Sequence, residues 1–243
     1  MLRLIACFLY MSGYLVYSIP KLKIVNRLPA DMPVNERDRI AHVTPQKWSK
    51  TIIKLTGSKV DVYGEEKLPE GPVVFVCNHE GDFDIPVLLG YINKPFGFIS
   101  KIEVKRIPIL SSWMAAINCV FLDRKDRMQA VGSIGEGIRL LEKGHSIAIF
   151  PEGTRSKGGP IGEFKSGGFR LAKGAEVPIV PISIAGTSKV FEQNGKLVKP
   201  AEITVTICPH LEYAHYKGRE LKELAEDVRQ TIISTQSQKR IAS

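Results

Sequence analysis

The chain contains few of the residues that build metal centres or disulfide frameworks. Its four cysteines lie far apart in the sequence, and no pair of them has the short spacing of metal ligands. Three of the four fall within apolar runs, so we expect reduced, buried thiols and a main domain exposed to the cytosol. No Walker A loop and no Gly-x-Ser-x-Gly elbow occurs, which argues against a P-loop nucleotide site and a serine hydrolase. The sequence therefore predicts neither a metal site nor a cofactor. The cysteines are Cys7, Cys77, Cys119 and Cys208.

Acidic residues are in the minority. The chain has 25 of them against 34 basic residues, and its net charge is +9. A positive surface attracts anions, so nucleic acid, anionic lipid, phosphorylated metabolites and acidic carrier proteins are candidate partners. Nucleic acid is the weakest of these, because no basic stripe is interleaved with aromatic residues. Nothing in the middle of the chain looks like a linker, so we expect one globular domain after the N-terminal segment.

The first twenty residues are apolar almost throughout. A helix of about 20 residues is roughly 30 Å long, which is enough to cross the core of a bilayer. Lys21, Lys23 and Arg27 follow directly, on the wrong side for a cleaved signal peptide. The same basic residues would keep the following domain in the cytoplasm. We therefore predict a membrane anchor here, and the alternative is a buried helix of a soluble protein.

Residues 28–44 look like a polar connector that contains prolines. Thr44-Pro45 then offers an N-cap and a proline at the first helical position, and Gly57 can end the helix. The apolar stripe and the lysines of this helix suit a membrane interface, and packing on the domain as a surface helix fits equally well. We assign residues 1–57 to membrane-associating helices and a connector, and residues 58–243 to the globular domain.

From residue 58 onward, short apolar runs alternate with segments of helical periodicity. This alternation is typical of an α/β fold with a mixed, mostly parallel sheet flanked by helices, in which the chemistry lies at strand ends. The predicted strands are Val60–Tyr63, Val73–Val76, Phe96–Ser100, Cys119–Leu122, Ser146–Phe150, Ile179–Ala185 and Ala201–Ile207. The predicted helices are Asp84–Tyr91, Ser112–Ile117, Asp126–Lys143, Lys165–Lys173 and one that begins near Leu221.

The second predicted strand ends in Asn78-His79, and Asp84 follows five residues after the histidine. Residues five apart on one helix point about 140° apart, so these two side chains meet only if a loop folds back between them. Gly81 is placed to allow that. A histidine oriented by a carboxylate can act as a general base toward a hydroxyl group. The alternative is a hydrogen bond that only closes a turn.

Two arginines follow other predicted strands. Arg124 ends Val-Phe-Leu-Asp-Arg, and Arg155 lies in the loop Phe150-Pro-Glu-Gly-Thr-Arg-Ser156. A guanidinium group matches the geometry of a phosphate, and a glycine-bearing loop can add backbone N–H donors, although each arginine alone could be an ordinary surface residue. Because the sequence offers a base but no protein nucleophile, the substrate is expected to bring the nucleophile. A phosphate-bearing alcohol fits this requirement.

Taken in order, four stretches resemble the motif blocks of the glycerolipid acyltransferases. They are Asn78-His79 with Asp84, Phe121-Leu-Asp-Arg124, Phe150-Pro-Glu-Gly-Thr-Arg-Ser156 and Val177-Pro-Ile-Val-Pro181. Two further stretches look like supporting segments of that family, Lys101 to Pro108 and Gly162 to Gly167. The resemblance covers roughly residues 58–210, and it is greatest to the bacterial members that acylate 1-acyl-sn-glycerol 3-phosphate.

The resemblance implies a mechanism and a set of roles. His79 would take the proton of the acceptor hydroxyl, Asp84 would orient the histidine, and the acyl donor would be acyl-CoA or acyl-carrier-protein. The acceptor lysophosphatidate is a membrane lipid, so the resemblance also implies a catalytic domain on the cytoplasmic face of the cell membrane. Arg124 and Arg155 would hold the acceptor phosphate. Further substrate-binding positions implied by the resemblance are Lys101, Lys105, Glu152, Gly153, Thr154 and Pro181.

One residue departs from the family pattern, since the family commonly has serine where this chain has Gly81. Glycerol 3-phosphate or another lysophospholipid is therefore kept as an alternative acceptor. A lipid-binding protein without activity is the alternative from another class. The family's two-helix anchor favours a monotopic hairpin formed by residues 1–20 and 45–57 over a single membrane span.

Overall fold

Seven strands form one sheet in a computed structural model that describes residues 1–195 and 197–242. The strands are β1 Lys59–Tyr63, β2 Val74–Cys77, β3 Gly97–Lys101, β4 Val120–Leu122, β5 Ile147–Ile149, β6 Ile179–Ala185 and β7 Glu202–Ile207. Their order across the sheet is β1-β7-β6-β2-β5-β3-β4. Every neighbouring pair is parallel except β6 and β7. The predicted mixed, mostly parallel sheet is confirmed, and each predicted strand lies within one residue of an observed one.

Helices cover both faces of the sheet, which is why the central strands are continuous apolar runs. Every residue of β2 and β5 is buried. One face carries Phe75, Val180 and Val205 against the N-terminal helices and the helix after β2, and the other carries Val74, Val76 and Ile179 against the C-terminal helices. The helices are α1 Leu2–Tyr17, α2 Ile19–Val25, α3 Val34–Thr56, α4 Asp84–Tyr91, α5 Pro108–Ala116, α6 Arg127–Glu142, α7 Arg170–Ala175, α8 Tyr213–Tyr216 and α9 Leu221–Ala242.

The helix predicted to begin at Thr44-Pro45 is longer than the prediction, and the predicted connector over residues 28–44 is wrong. Helix α3 begins at Val34, eleven residues earlier, and Pro45 lies inside it. An interior proline removes one backbone hydrogen bond, and tertiary packing compensates for it here, because Ala41, Pro45 and Ile52 are all buried. Gly57 ends the helix as predicted, with the left-handed φ of 78° that glycine allows.

Two smaller differences concern other predicted helices. Helix α5 begins at Pro108 rather than Ser112, since a proline is well suited to the first helical turn. The segment predicted as one helix over Lys165–Lys173 is a 3₁₀ turn, Ser166–Phe169, followed by α7. Helix α4 has the bounds predicted for it, Asp84–Tyr91.

Helices α1 and α2 form a bent pair. The two helices meet at an angle of 49°, and only together are they long and apolar enough to cross a membrane; no single described helix is. Large apolar side chains of α1 face outward, for example Leu2, Phe8 and Leu9, which are 85%, 66% and 65% exposed. On the inner side, the indole Nε1 of Trp113 donates a 2.8 Å hydrogen bond to the hydroxyl of the buried Ser18, which ties this pair to α5.

Helix α3 is held to the amino ends of the strands by buried polar contacts. Asp38 accepts from His145 Nδ1 at 2.8 Å, and His42 contacts the backbone of Phe96 through Nε2 at 2.8 Å. Asn118 completes this cluster with a 3.1 Å hydrogen bond to Asp38. A histidine–carboxylate pair thus has a packing role at one edge of the sheet, while a second pair lies at the opposite edge.

Candidate active site

The site is built on the turn that follows β2. Asn78 fixes this turn to β6, since its side chain exchanges two hydrogen bonds with the backbone of Ile184, at 2.9 and 2.8 Å. The backbone carbonyl of His79 accepts from the N–H of Ser156 at 2.8 Å, which joins the turn to the loop after β5. The turn therefore lies where the carboxyl ends of β2, β5 and β6 meet, the usual position of a ligand site in an open α/β sheet.

His79 and Asp84 are in contact. The distance between His79 Nδ1 and Asp84 Oδ2 is 2.6 Å, and the same carboxylate oxygen accepts the N–H of Gly81 at 3.0 Å. Asp84 is fully buried, and its other oxygen accepts from the hydroxyl of Thr187. The predicted loop that folds back on itself is present, and Asp84 opens α4 as expected.

The arrangement leaves one nitrogen of His79 available. A proton on Nδ1 is donated to Asp84, so Nε2 carries the lone pair, and no described residue forms a hydrogen bond with Nε2. The side chain of His79 is 20% exposed. The imidazole can therefore take a proton from an external group while a buried carboxylate stabilises the charge that forms.

An aromatic wall supports the imidazole. The ring of Phe150 stacks on that of His79 with centroids 4.2 Å apart, and Phe98 stacks on Phe150 at 6.2 Å. Phe150 directly follows β5, the neighbour of β2, and Phe98 lies on β3, the next strand beyond β5. The stacking restricts the imidazole to the plane in which it meets Asp84.

Two carboxylates, the buried Glu152 and the partly buried Glu80, connect the turn to the neighbouring loops. Glu152 accepts the N–H of His79 at 2.7 Å with one oxygen and the N–H of Gly162 at 2.9 Å with the other. Glu80 accepts the N–H of Gly186 at 2.8 Å. Burial raises the pKa of both carboxyl groups, and these backbone hydrogen bonds oppose the rise. Glu152, expected to shape a phosphate pocket, lies behind the turn that carries His79.

Arg124 and Lys165 both lie beside Gly153. A Cβ atom at Gly153 would be 3.2 Å from Lys165 Nζ and 3.3 Å from Arg124 Nη1, and the glycine has a left-handed φ of 70°. Arg124 also donates to the carbonyl of Gly153. No described residue pairs with the ammonium group of Lys165. Two cations this close together, without a carboxylate between them, form a site suited to an anion such as phosphate.

The other predicted substrate-binding residues are more dispersed. Arg155 forms an ion pair with Asp82, and its Nη1 is 3.8 Å from Glu192 Oε1. Lys101 ends β3, and Lys105 lies over the ring of Phe121, with Nζ 5.9 Å from the centroid. Thr154 is exposed, and Pro181 is a buried residue of β6 paired with Val76 of β2.

Two cavities lie beside this site. One of about 470 Å³ is lined almost wholly by apolar side chains, among them Phe8, Ile52, Phe83 and Phe191, and Asp82 stands in its wall. The other, of about 540 Å³, is lined by apolar residues, among them Ile99 and Phe150, and by the basic residues Arg124, Lys165 and Arg170. Among the described residues that line the second cavity, none is acidic. An apolar compartment and a cationic compartment therefore lie near one base.

Sequence reasoning did not assign four residues that complete the site: Phe150, Lys165, Thr187 and Glu192. Phe150 and Lys165 lie in stretches that the motifs had already marked, so their positions carried a usable signal. Thr187 and Glu192 lie in the segment after β6, where no motif drew attention to them. Nor do the described residues include a group of three or more side chains able to hold a metal ion.

The chain matches the family model described as Acyltransferase over residues 59–185, more than half of its length. It is 38% identical over 157 residues to the 1-acyl-sn-glycerol-3-phosphate acyltransferase LPAT1, chloroplastic, of Arabidopsis thaliana, an alignment that covers 64% of this chain and 44% of that protein. It is 31% identical over 185 residues to the 1-acyl-sn-glycerol-3-phosphate acyltransferase of Saccharomyces cerevisiae, covering 74% of this chain and 61% of that one.

Among solved structures, the fold resembles the crystal structure of the 1-acyl-sn-glycerophosphate (LPA) acyltransferase PlsC from Thermotoga maritima. The TM-score is 0.82 at 26% identity, and the superposition covers 98% of this chain and 95% of that one. The chain belongs to the acyltransferase family, as the order of its motifs predicted. It spans 44% to 61% of the length of the two sequence relatives described above.

Proposed function

We propose that this protein transfers a fatty acyl group from a thioester donor, acyl-CoA or acyl-carrier-protein, to the free hydroxyl of 1-acyl-sn-glycerol 3-phosphate, giving phosphatidate. The observation that carries the proposal is the pairing of an available His79 Nε2 with a neighbouring cationic pocket. A base of this kind has no use in a protein that only binds lipid. The names of the relatives support the choice of acceptor.

In the proposed reaction, Nε2 of His79 removes the proton of the acceptor hydroxyl as its oxygen attacks the thioester carbonyl carbon. Asp84 stabilises the imidazolium through the 2.6 Å contact with Nδ1. The tetrahedral intermediate then collapses, the carbon–sulfur bond breaks, and the imidazolium returns the proton to the departing thiolate. The site needs no protein nucleophile, because the substrate oxygen takes that role.

The phosphate of the acceptor binds, in this proposal, between Arg124 and Lys165 beside Gly153. Arg155 joins them when it leaves Asp82, with Lys101 and Lys105 as the outer cations. Glycerol 3-phosphate or another lysophospholipid would present the same phosphate chemistry, so these are the alternative acceptors.

The apolar cavity next to Phe83 and Phe191 suits a fatty acyl chain. Its wall includes Phe8 of α1, whose neighbours Leu2 and Leu9 face outward. We propose that residues 1–57 attach the protein to the cytoplasmic face of the cell membrane and that residues 58–243 carry the chemistry. An acceptor that stays in the bilayer could then enter beside α1.

The test is an assay of His79→Ala and His79→Gln with lysophosphatidate in mixed micelles, using acyl-CoA and acyl-carrier-protein in parallel. Removing a catalytic base lowers kcat by roughly 10²–10⁴-fold. The matched control is His215→Ala, which removes an exposed histidine of α8. Near-normal phosphatidate formation by both His79 variants would overturn the mechanism. Lipid retention without turnover by the wild type would identify a binding protein, and turnover only with another acceptor in the panel would replace lysophosphatidate.

The phosphate site has its own test. Lys165→Met should raise the KM for lysophosphatidate about tenfold, since a hydrogen bond to a charged group contributes about 1.5 kcal/mol or more. Lys222→Met, which removes an exposed lysine from α9, should leave the KM unchanged. A KM that rises for the acyl donor instead would place the donor's phosphate at this site.

A further inference from the structure

Glu192 reaches the catalytic turn from a distant part of the chain. It lies in a 3₁₀ turn, Glu192–Asn194, that follows β6. Its Oε1 accepts the N–H of Asp82 at 2.7 Å, so it binds the backbone between His79 and Asp84 directly. The preceding residue, Phe191, packs edge to face on Phe83 with ring centroids 6.5 Å apart, which brings Glu192 to this position.

The carboxylate of Glu192 occupies the space in which a side chain of residue 81 would lie. A Cβ atom built on Gly81 would be 2.7 Å from Cδ and 2.8 Å from Oε1 of Glu192, closer than real Cβ contacts. Gly81 is not among the glycines with a positive φ. Its backbone would therefore accept another residue, and the three atoms nearest to an added Cβ all belong to Glu192.

Glu192 is an unfavourable residue to bury in this way. Its side chain is 6% exposed, and its Oε2 is buried without a hydrogen-bond partner among the described residues. Among the described residues, the cation that approaches it is Arg155, whose Nη1 is 3.8 Å from Oε1 and which is already paired with Asp82. Space filling alone does not explain a buried carboxylate here, because an apolar side chain would fill the same space at a lower desolvation cost.

We propose that Glu192 is a positioning residue for the catalytic histidine. Its carboxylate and a side chain at residue 81 would compete for the same space, so Glu192 is matched to glycine at position 81. Glu192 holds the Asp82 N–H and fills the space beside Gly81, and it thereby fixes the turn that closes His79 on Asp84. A side chain at residue 81 would displace the carboxylate of Glu192 from its place at the Asp82 N–H. The kinetic measurements of the test rest on the acyl transfer proposed above. The proton signal of His79, which reports on structure, does not.

The test is a double-mutant cycle of Gly81→Ser, Glu192→Ala and the combined variant, with Glu192→Gln as the conservative substitution. The carbonyl oxygen of glutamine can still accept the Asp82 N–H, and its NH2 group takes the place of Oε2, which has no hydrogen-bond partner among the described residues. Misplacement of a catalytic group by about 1 Å can reduce the rate about 10²-fold. We expect both single variants to lose about ten- to a hundredfold in kcat with the lysophosphatidate KM within twofold. Glu192→Gln should retain most of the activity, and the combined variant should exceed both single variants.

The structural readout is the hydrogen-bonded Nδ1–H proton of His79 in the downfield proton spectrum of ¹⁵N-histidine-labelled protein, assigned with His79→Gln. His145, whose Nδ1 lies 2.8 Å from Asp38, supplies a second such proton at the opposite edge of the sheet as an internal control. We expect the His79 signal to broaden or disappear in Glu192→Ala and in Gly81→Ser and to return in the combined variant, while the His145 signal is unchanged in all of them.

These outcomes separate the two proposals. Suppose that the wild type acylates no acceptor, but the His79 signal is lost in the single variants and returns in the combined variant. The proposed function then fails, and the pairing of Gly81 with Glu192 stands. If the wild type is active and the effects of the two substitutions simply multiply in the combined variant, with the His79 signal present throughout, the positioning role is overturned. Loss of both histidine signals in a variant would show that the variant unfolds. In that case Glu192→Gln provides the test. If Glu192→Gln loses the His79 signal and keeps the His145 signal, the steric role is contradicted.

Discussion

The ring of Phe150 lies on the imidazole of His79, with their centroids 4.2 Å apart and their planes inclined by 25°. Phe150 ends the predicted strand that becomes β5, the neighbour of β2 in the sheet. The aromatic ring covers one face of the imidazole, so the histidine can rotate away from Asp84 only by breaking the stack. An aromatic pair of this kind contributes about 0.5–1.5 kcal/mol beyond the area that it buries.

Phe150→Ala is therefore expected to lower kcat about tenfold or more, with a smaller change in the KM for either substrate. The reason is that the imidazole gains rotational freedom and water reaches its covered face. Phe150→Leu keeps most of the volume and should retain more activity than the alanine variant. Steady-state kinetics of the two variants test this, and equal activity of wild type and Phe150→Ala would show that Asp84 alone orients the histidine.

Thr187 is the second support of the carboxylate that meets His79, because its hydroxyl donates to Asp84 Oδ1. Both residues are fully buried. Thr187→Val keeps the shape and leaves a buried carboxylate oxygen without its donor, so we expect a loss of about 1–3 kcal/mol in the free energy of unfolding and a reduced kcat. Thr187→Ser keeps the hydroxyl and should behave almost as wild type. Urea unfolding with parallel kinetics makes the comparison, and a fully active, fully stable valine variant would contradict it.

The contact between His79 and Asp84 could be predicted from sequence because it is local. A strand, a glycine in a short loop and a helix start within seven residues define it. Thr187 could not be predicted in the same way, since it lies 103 residues from Asp84 in the chain. Its position depends on β6 lying beside β2, and the strand order is set by packing and crossover connections that no single segment encodes.

The same difference between local and long-range contacts explains which parts of the fold could be predicted. Strand positions follow from apolar runs, but the antiparallel pairing of β7 with β6 leaves no local trace in either strand. Pro45 marked a helix start by its local preference, whereas the structure places it in the middle of α3. Burial of that helix on α4 and the sheet outweighs the lost backbone hydrogen bond.

In the proposed acceptor site, Asp82 would compete with the phosphate for Arg155. Its carboxylate forms an ion pair with the guanidinium group, and the aspartate side chain is 58% exposed. Exposed ion pairs contribute about 0.2–1 kcal/mol, so Asp82→Asn should lower the KM for lysophosphatidate by up to about fivefold. The control is a cycle with Arg155→Met, in which Asp82→Asn should have no further effect. An unchanged or raised KM in the single variant would show that Arg155 does not bind the acceptor phosphate.

Glu80 offers a test in which charge is removed and the hydrogen bonds remain. Among the described residues, the hydrogen bonds of its side chain all meet one oxygen, Oε2, which accepts the N–H of Gly186 at 2.8 Å and lies 3.3 Å from the hydroxyl of Ser188. A glutamine can place its carbonyl oxygen there and accept the same donors. Burial, and then the charge of Asp84, raise the pKa of the Glu80 carboxyl above its usual 4.5.

A carboxyl whose pKa is higher in the folded state binds more protons there than in the unfolded state, over the pH range that begins near 4.5 and ends above the folded pKa. Across that range, rising pH removes stability from the wild type, because the partly buried group must ionise next to Asp84. Glu80→Gln has no such loss. As the pH rises from 4.5 to 7, the free energy of unfolding of Glu80→Gln should therefore increase relative to that of the wild type. Urea unfolding at both pH values measures the difference, and Glu163→Gln, which removes an exposed carboxylate, should follow the wild type. If Glu80→Gln instead loses stability relative to the wild type on going to neutral pH, the ionised carboxylate stabilises the turn and the assignment of burial as the dominant influence on Glu80 is wrong.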